Sequence, residues 1–154
     1  MNSVPPNARI TVLLPLAFAP ALAQPVAQAV VETGRHLQGS WTAVHADRDG
    51  RRADDLLGQR VSFTANRFQI HATDGRVILE GSYRLEPGAR PAAIDLAHDD
   101  GTLLSKVWKG IYALDGDTLW LCENAVDVDA PRPTAFAPRS GSGEVCITLQ
   151  RGAR

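Results

Sequence analysis

The sequence contains few of the features by which common functional classes are recognised. Its 16 Lys and Arg residues are nearly balanced by 17 Asp and Glu residues, and neither Lys nor Arg forms a run. The electrostatic footprint of a nucleic-acid-binding protein is therefore missing. The H-E-x-x-H metal motif, the EF-hand loop, the G-x-S-x-G hydrolase motif and the phosphate-binding loop are missing too. We therefore predict a protein that is not an enzyme and uses no metal ion or other cofactor.

Long hydrophobic runs are also absent. The most apolar stretch, Ile10 to Ala23, is too short to span a bilayer as a helix. A polar stretch with one cation precedes it, and Ala21-Leu22-Ala23 supplies the small residues that a signal peptidase requires. We predict a cleaved signal peptide over residues 1–23, hence a periplasmic or secreted protein with no membrane span after cleavage. A buried N-terminal helix is the alternative, which Pro15 and Pro20 disfavour because they would interrupt it.

The rest of the chain has the length of one ordinary domain. Residues 24–36 are rich in Ala, Val and Gln without a strong helix cap, so we predict a tether or a marginal helix. From residue 37 to residue 151, short segments of alternating apolar and polar residues are separated by turn dipeptides, including four Asp-Gly pairs. This pattern is typical of an all-β domain.

Eight strands are predicted in this domain, and only residues 51–57 look helical. The predicted strands are 40–46, 59–65, 67–72, 76–85, 92–97, 106–114, 117–123 and 144–151. Successive strands joined by turns indicate an eight-stranded antiparallel up-and-down β-barrel, whose closure removes both exposed edges. A sandwich of seven or eight strands is the rival architecture.

Loop lengths give the predicted barrel two different ends. One rim receives the short connections at residues 66, 86–90 and 115–116, whereas the other receives the loops at 47–58, 73–75, 98–105 and 124–143. Because long loops on a rigid scaffold often carry binding sites, the second rim is the predicted mouth.

Strand alternation assigns one face of each strand to the interior. These residues are Trp41, Val61, Phe63, Phe68, Ile70, Val77, Leu79, Tyr83, Ile94, Leu96, Leu119, Leu121, Val145, Ile147 and Leu149. His45 and His98 are predicted to point inward near the mouth, and His71 outward. A barrel of this size is either filled by its own side chains or holds one small ligand, and both outcomes stay open. A small hydrophobic molecule would be lined by Trp41, His45, Phe63, Phe68, Leu79, Tyr83 and Leu96.

Two predicted contacts stabilise the domain. Gly39 and Trp41 open the first strand and Arg151 closes the last, so pairing of these strands lets Arg151 stack on the Trp41 ring at the narrow end. Pairing the last two strands so that their apolar residues share a face places Cys122 opposite Cys146. Export favours a disulfide there, across the neck of the 124–143 loop, over two free thiols.

The 124–143 loop carries the alternative function. Two prolines stiffen the segment around Arg132, and Phe136 either folds over the mouth as a lid or anchors the loop to the barrel surface. Under this alternative the domain is a non-enzymatic structural or interaction module that binds another envelope protein through Arg132 and Phe136. In either case we expect a monomer.

The stretch from Leu37 to Arg151 resembles an uncharacterised, lipocalin-like extracytoplasmic domain family first described from planctomycetes. The resemblance rests on Leu37-Gln38-Gly39-Ser40-Trp41, on Ala93 to Leu96 and above all on the run from Gly110 to Leu119. Leu121-Cys122, Arg132-Pro133-Thr134, Phe136, Gly141-Ser142-Gly143 and Leu149-Gln150-Arg151 match at the end. The resemblance implies export and an eight-stranded meander barrel, and it allows for an apolar ligand. It transfers no catalytic residue, and the chain departs from the family in the loops at 97–106 and 123–131.

Overall fold

The computed structural model describes residues 23–152. Residues 1–22, which hold nearly all of the predicted signal peptide, lie outside this range. The backbone of residues 23–37 forms one helix, so the segment predicted as a tether or a marginal helix is helical.

The described chain contains one α-helix and nine strands. They are α1 (Ala23–Leu37), β1 (Gly39–Arg48), β2 (Arg51–Arg52), β3 (Arg60–Thr64), β4 (Arg67–His71), β5 (Val77–Glu86), β6 (Ala93–His98), β7 (Val107–Asp115), β8 (Thr118–Asn124) and β9 (Glu144–Arg151). Short 3-10 helices cover Asp54–Leu56 and Gly101–Leu103. The helix expected over residues 51–57 is therefore wrong in part, because its first two residues are β2 and only three residues are helical.

The sheet is an antiparallel meander that closes on itself. Strands β1 and β3 to β9 pair in chain order, and β9 pairs back with β1. This confirms the eight-stranded up-and-down barrel and excludes the sandwich, while β2 adds only a two-residue extension beside β1 at the open rim. Closure satisfies the backbone groups that two edge strands would leave unpaired.

The narrow end of the barrel is filled and capped. Trp41 is fully buried, and its indole Nε1 donates a hydrogen bond of 2.8 Å to the carbonyl oxygen of Leu37 at the end of α1. Phe63 and Tyr83 pack edge to face with ring centroids 5.0 Å apart. The Gln38 side chain donates to the Tyr83 hydroxyl oxygen at 2.9 Å and accepts from the backbone N–H of Ala65 at 2.7 Å. These contacts join the end of α1 to the narrow rim, and Trp41, Phe63 and Tyr83 fill the interior there.

Two β-bulges change which residues face inward. The register of β1 against β9 shifts between Ala43 and His45, so Val44 is an extra residue and both Val44 and His45 point outward. The register of β4 against β5 shifts between Ile70 and His71, which places Val77 opposite His71. The prediction that Val77 points inward is therefore wrong, since it is 41% exposed.

The long loop between β8 and β9 crosses the outer wall of the barrel. Beneath it, Ile111, Cys122 and Cys146 form a small second core separate from the interior. Cys122 and Cys146 form a disulfide and pair directly across β8 and β9 with Cα atoms 4.1 Å apart, as predicted. The disulfide thus joins the two ends of the loop outside the interior.

Candidate functional site

The open half of the barrel contains a cavity of about 260 Å³. Most of its lining is apolar, from Ala43, Leu56, Val61, Ile70, Ile78, Leu79, Leu96, Trp108, Leu121, Ala125, Val126, Val145, Ile147 and Leu149. Three polar side chains, those of Arg48, Gln59 and Glu123, complete it. Ile78 and Val126 are exposed at the rim of the long loops, which marks the mouth. The interior is therefore divided into a filled narrow half and a hollow open half.

Glu123 is the most unusual residue of the cavity. It follows Leu119 and Leu121 on the inward face of β8, opposite Gly110 of β7 and Val145 of β9. Only 8% of the residue is exposed, and its Oε2 atom has no hydrogen-bond partner. Burial raises the pKa of the Glu123 carboxyl from its ordinary value of 4.5 to about 8, because the ionised form loses its hydration. At neutral pH this carboxyl is therefore mostly protonated and can donate a hydrogen bond.

Gly110 allows the backbone to approach closely beside Glu123. A Cβ at this position would lie 2.9 Å from the Cys122 carbonyl oxygen and 3.5 Å from the Glu123 Cβ. The first approach is too close for a side chain, as is a distance of 3.2 Å to Ile94 Cγ2, whereas the distance to Glu123 is an ordinary contact. The glycine therefore lets β7 and β8 lie close together where Glu123 enters the barrel.

Arg48 lies at the mouth, where it continues the inward face of β1. Its guanidinium donates two hydrogen bonds to the Asp55 carboxylate, at 3.3 and 3.0 Å. The Asp55 pKa is lowered chiefly by this hydrogen bonding. The cation of the cavity is thus already paired with an anion of the 3-10 helix at the rim.

Only two of the seven predicted lining residues reach the cavity. Leu79 and Leu96 line it, whereas Trp41, Phe63, Phe68 and Tyr83 belong to the packed core outside it. The alternation pattern correctly predicted that these aromatic side chains point inward. It could not show which half of the barrel their bulk would fill.

The predicted position of His45 is wrong. The bulge at Val44 turns His45 to the outer face, where its side chain is 51% exposed and its Nε2 lies 2.9 Å from Asp47 Oδ2. A regular strand would have placed it inside. A bulge adds one residue to the strand and so reverses the alternation beyond it.

His98 does point inward, as predicted. It is 2% exposed, and its ring packs against Trp108 and Phe68 with centroid distances of 4.3 and 5.4 Å. Neither ring nitrogen has a hydrogen-bond partner. Burial lowers the His98 pKa, which favours the neutral ring, although nearby Asp100 and Asp99 oppose the shift. The ring is a packing element of the barrel wall and is not among the residues that line the cavity.

Arg132 and Phe136 attach the long loop to the barrel wall. The Arg132 guanidinium donates to the carbonyl oxygens of Gly110 and Ile94, at 2.7 and 3.1 Å, and to the Asp95 carboxylate at 2.8 Å. Phe136 lies beside the outer-face residues Trp120 and Cys146, and it does not line the cavity. The lid interpretation of Phe136 is therefore wrong, and its role as an anchor agrees with the structure.

No family model, curated protein or solved structure matches the chain. Within residues 23–152, no three or more His, Cys, Asp and Glu side chains are grouped so that they could hold a metal ion. None of the helices in this range is both long enough and apolar enough to cross a membrane.

Among the lining residues that sequence reasoning missed, Glu123 and Trp108 are the two whose strands carried a signal for them. Glu123 was the last residue of a predicted strand, yet it continues the inward series begun by Leu119 and Leu121. Trp108 lies on β7, for which no inward residue was named, although Trp108, Gly110 and Tyr112 alternate in the same way. The period-two pattern carried both signals. Extending the alternation to the end of β8 and applying it to β7 would have found them.

Proposed function

We propose that this protein is a lipocalin-like barrel that holds a small, mostly apolar molecule in the cavity of its open half. The observation that carries the proposal is the cavity itself, which combines an apolar lining with two buried polar atoms that have no hydrogen-bond partner, Glu123 Oε2 and Trp108 Nε1. Ligand sites commonly combine an apolar wall with a few polar groups that orient the ligand. The fully packed interior that would have argued against binding is found only in the narrow half.

The cavity volume limits the size of the ligand. About 260 Å³ lies just below the range of roughly 300–1,000 Å³ typical of sites for drug-sized molecules. It exceeds the roughly 150 Å³ apolar cavity that is known to bind benzene. A substituted single ring or a short branched chain fits these limits better than a long-chain lipid.

Titration of the purified protein with ethylbenzene, followed by tryptophan fluorescence or by amide chemical shifts, tests this proposal. We expect saturable binding with shifts confined to residues of the open half. Ala43→Leu fills part of the cavity and should weaken binding, while Thr42→Leu, on the opposite face of β1, is the matched control.

Two results would contradict ligand binding in the cavity. One is the absence of saturable binding of ethylbenzene and of similar small aromatic compounds. The other is equal binding by the Ala43→Leu and Thr42→Leu variants. Either result would favour the alternative in which the rim loops are the functional surface.

We further propose that the protein is exported. The apolar run followed by Ala21-Leu22-Ala23 supports export, and so does the Cys122–Cys146 disulfide, which persists in oxidising compartments. Expression in a bacterium with N-terminal sequencing of the fractionated product tests it. A periplasmic or secreted product beginning at Gln24 is expected. A cytoplasmic product that retains residues 1–23 would contradict it.

A further inference from the structure

Resting on the proposed function, we propose that the cavity selects neutral ligands with a carbonyl-type oxygen, which accepts a hydrogen bond from the protonated carboxyl of Glu123. The ligand class is thus a small apolar ketone, aldehyde, ester or amide rather than a hydrocarbon or an amine. Three features of the cavity favour this ligand class, namely the position of Glu123, the charge of its surroundings and the lack of a hydrogen-bond partner for its Oε2 atom.

Glu123 combines deep burial with an unpartnered oxygen. Burying a polar group without a hydrogen bond costs free energy, which a suitably placed ligand atom recovers on binding. The carboxyl belongs to the wall of the cavity and lies on the same strand face as Leu121, another lining residue. A ligand that fills the apolar space therefore comes within reach of the carboxyl.

The charges around Glu123 favour a neutral ligand. Gly110 and Val145, which face it from β7 and β9, carry no charge, and Arg48 of β1 is paired with Asp55 at the mouth. An ammonium ligand would require Glu123 to ionise, and the resulting ion pair would be desolvated among apolar side chains. A carboxylate ligand would bring an anion to a wall whose only cation already has a partner.

Protonation also decides the direction of the hydrogen bond. Because burial holds the Glu123 pKa near 8, the carboxyl is a donor at neutral pH. A carbonyl oxygen is an acceptor only and accepts this bond without any proton transfer. When the pH rises and the carboxyl ionises, the donor is lost and a carboxylate faces the ligand oxygen.

Three ligands of nearly equal size test the inference, namely ethylbenzene, acetophenone and 1-phenylethylamine. Their dissociation constants are measured at pH 6 for the unaltered protein and for the variants Glu123→Leu and Glu123→Gln. The ratio of acetophenone to ethylbenzene affinity is compared between proteins, because this comparison cancels the different hydration of the two ligands. Glu123→Gln keeps a neutral hydrogen-bond donor, so it separates loss of the donor from a change in packing.

We expect the ratio to fall about 10-fold in Glu123→Leu and to stay within a few-fold of the original in Glu123→Gln, as for the loss of one hydrogen bond. Acetophenone affinity should fall between pH 6 and pH 9.5 in the unaltered protein and stay constant in Glu123→Gln. An unchanged ratio in Glu123→Leu, or a larger contribution of Glu123 to binding of 1-phenylethylamine, would overturn the inference. Ethylbenzene binding in all proteins would then leave the proposed function standing, whereas no binding of any of the three would remove both.

Discussion

The guanidinium carbon of Arg151 lies 4.1 Å from the centroid of the Trp41 ring, and the two residues pair across β1 and β9. The contact therefore lies at the seam where the first and last strands close the barrel. Arg151 also donates hydrogen bonds to the carbonyl oxygens of Gln38 and His36 and to the Asp117 carboxylate. The Arg151 side chain thus contacts the end of α1, strand β1 and the β7–β8 turn.

Replacing Arg151 by Ala should lower the free energy of unfolding by about 2 to 4 kcal/mol. The variant loses the stacking on Trp41, worth roughly 0.5–2 kcal/mol, and leaves carbonyl oxygens at the narrow end without donors. Urea denaturation measures the loss. Arg84→Ala is the control, because Arg84 is largely exposed and pairs only with Glu86 at the surface. Equal losses of unfolding free energy in both variants would contradict a stabilising role for the contacts of Arg151.

The stability of the protein should fall as the pH rises from 4.5 towards 8. The folded state keeps the Glu123 proton up to a pKa of about 8, whereas the unfolded chain releases it near 4.5. The free-energy cost of burying Glu123 is therefore smallest below pH 4.5, grows by about 1.4 kcal/mol per pH unit as the pH rises from there, and levels off above about 8.

Denaturation of Glu123→Gln at pH 5, 7 and 9 measures this effect. Its stability should lack this component of the pH dependence and exceed that of the unaltered protein at pH 9. Glu86→Gln, at an exposed position of β5, should follow the unaltered protein. If the unfolding free energy of Glu123→Gln changed with pH in the same way as that of the unaltered protein, the buried carboxyl would not be the group that titrates.

Gly81 should tolerate no side chain. Phe68 pairs with Gly81, which pairs in turn with His98, and a Cβ there would lie 1.8 Å from the Ala97 carbonyl oxygen and 2.9 Å from the Phe68 ring. We expect Gly81→Ala to lower the free energy of unfolding by about 3 kcal/mol or more, because it must displace backbone as well as side chains.

Gly88→Ala is the matched control for this variant. No atom comes within 4 Å of a Cβ built at Gly88, which lies in the β5–β6 turn. Its unfolding free energy should stay within about 1 kcal/mol of the original. Thermal or urea denaturation of the two variants compares the effects, and a stable Gly81→Ala barrel would contradict the packing described at this position.

Loss of the disulfide should reduce stability without affecting the cavity. The bond spans 24 positions, so chain-entropy arguments give a loss on the order of 3 kcal/mol for the double variant Cys122→Ala/Cys146→Ala. Its ethylbenzene affinity should be unchanged at low temperature, because both cysteines lie on the outer face. Denaturation and ligand titration of the double variant measure the two quantities. A large loss of ethylbenzene affinity in a double variant that is still folded would show that the disulfide supports the cavity.

Much of the fold could be predicted because the barrel repeats one local rule. Alternating residues and turn dipeptides located eight strands, and their order predicted the closure that the pairing of β1 with β9 confirms. The Arg151 contact and the disulfide followed from that closure and from register. The bulge at Val44 escaped prediction because a single extra residue leaves almost no signal in composition, yet it moved His45 from the interior to the surface.

The sequence by itself determined the number of barrel strands, the faces of most of them, the closing contact and the disulfide, since each depends on periodicity within a strand or pairing between neighbours. Tertiary structure alone decided where the interior is hollow, because that depends on how side chains from all eight strands fill a shared volume. Trp41, Phe63, Phe68 and Tyr83 occupy the packed core away from the cavity, and the smaller residues around Glu123 leave the open half empty. The same packing removes water from the Glu123 carboxyl and raises its pKa. As a result, the last residue of a predicted strand becomes a buried polar group of the cavity.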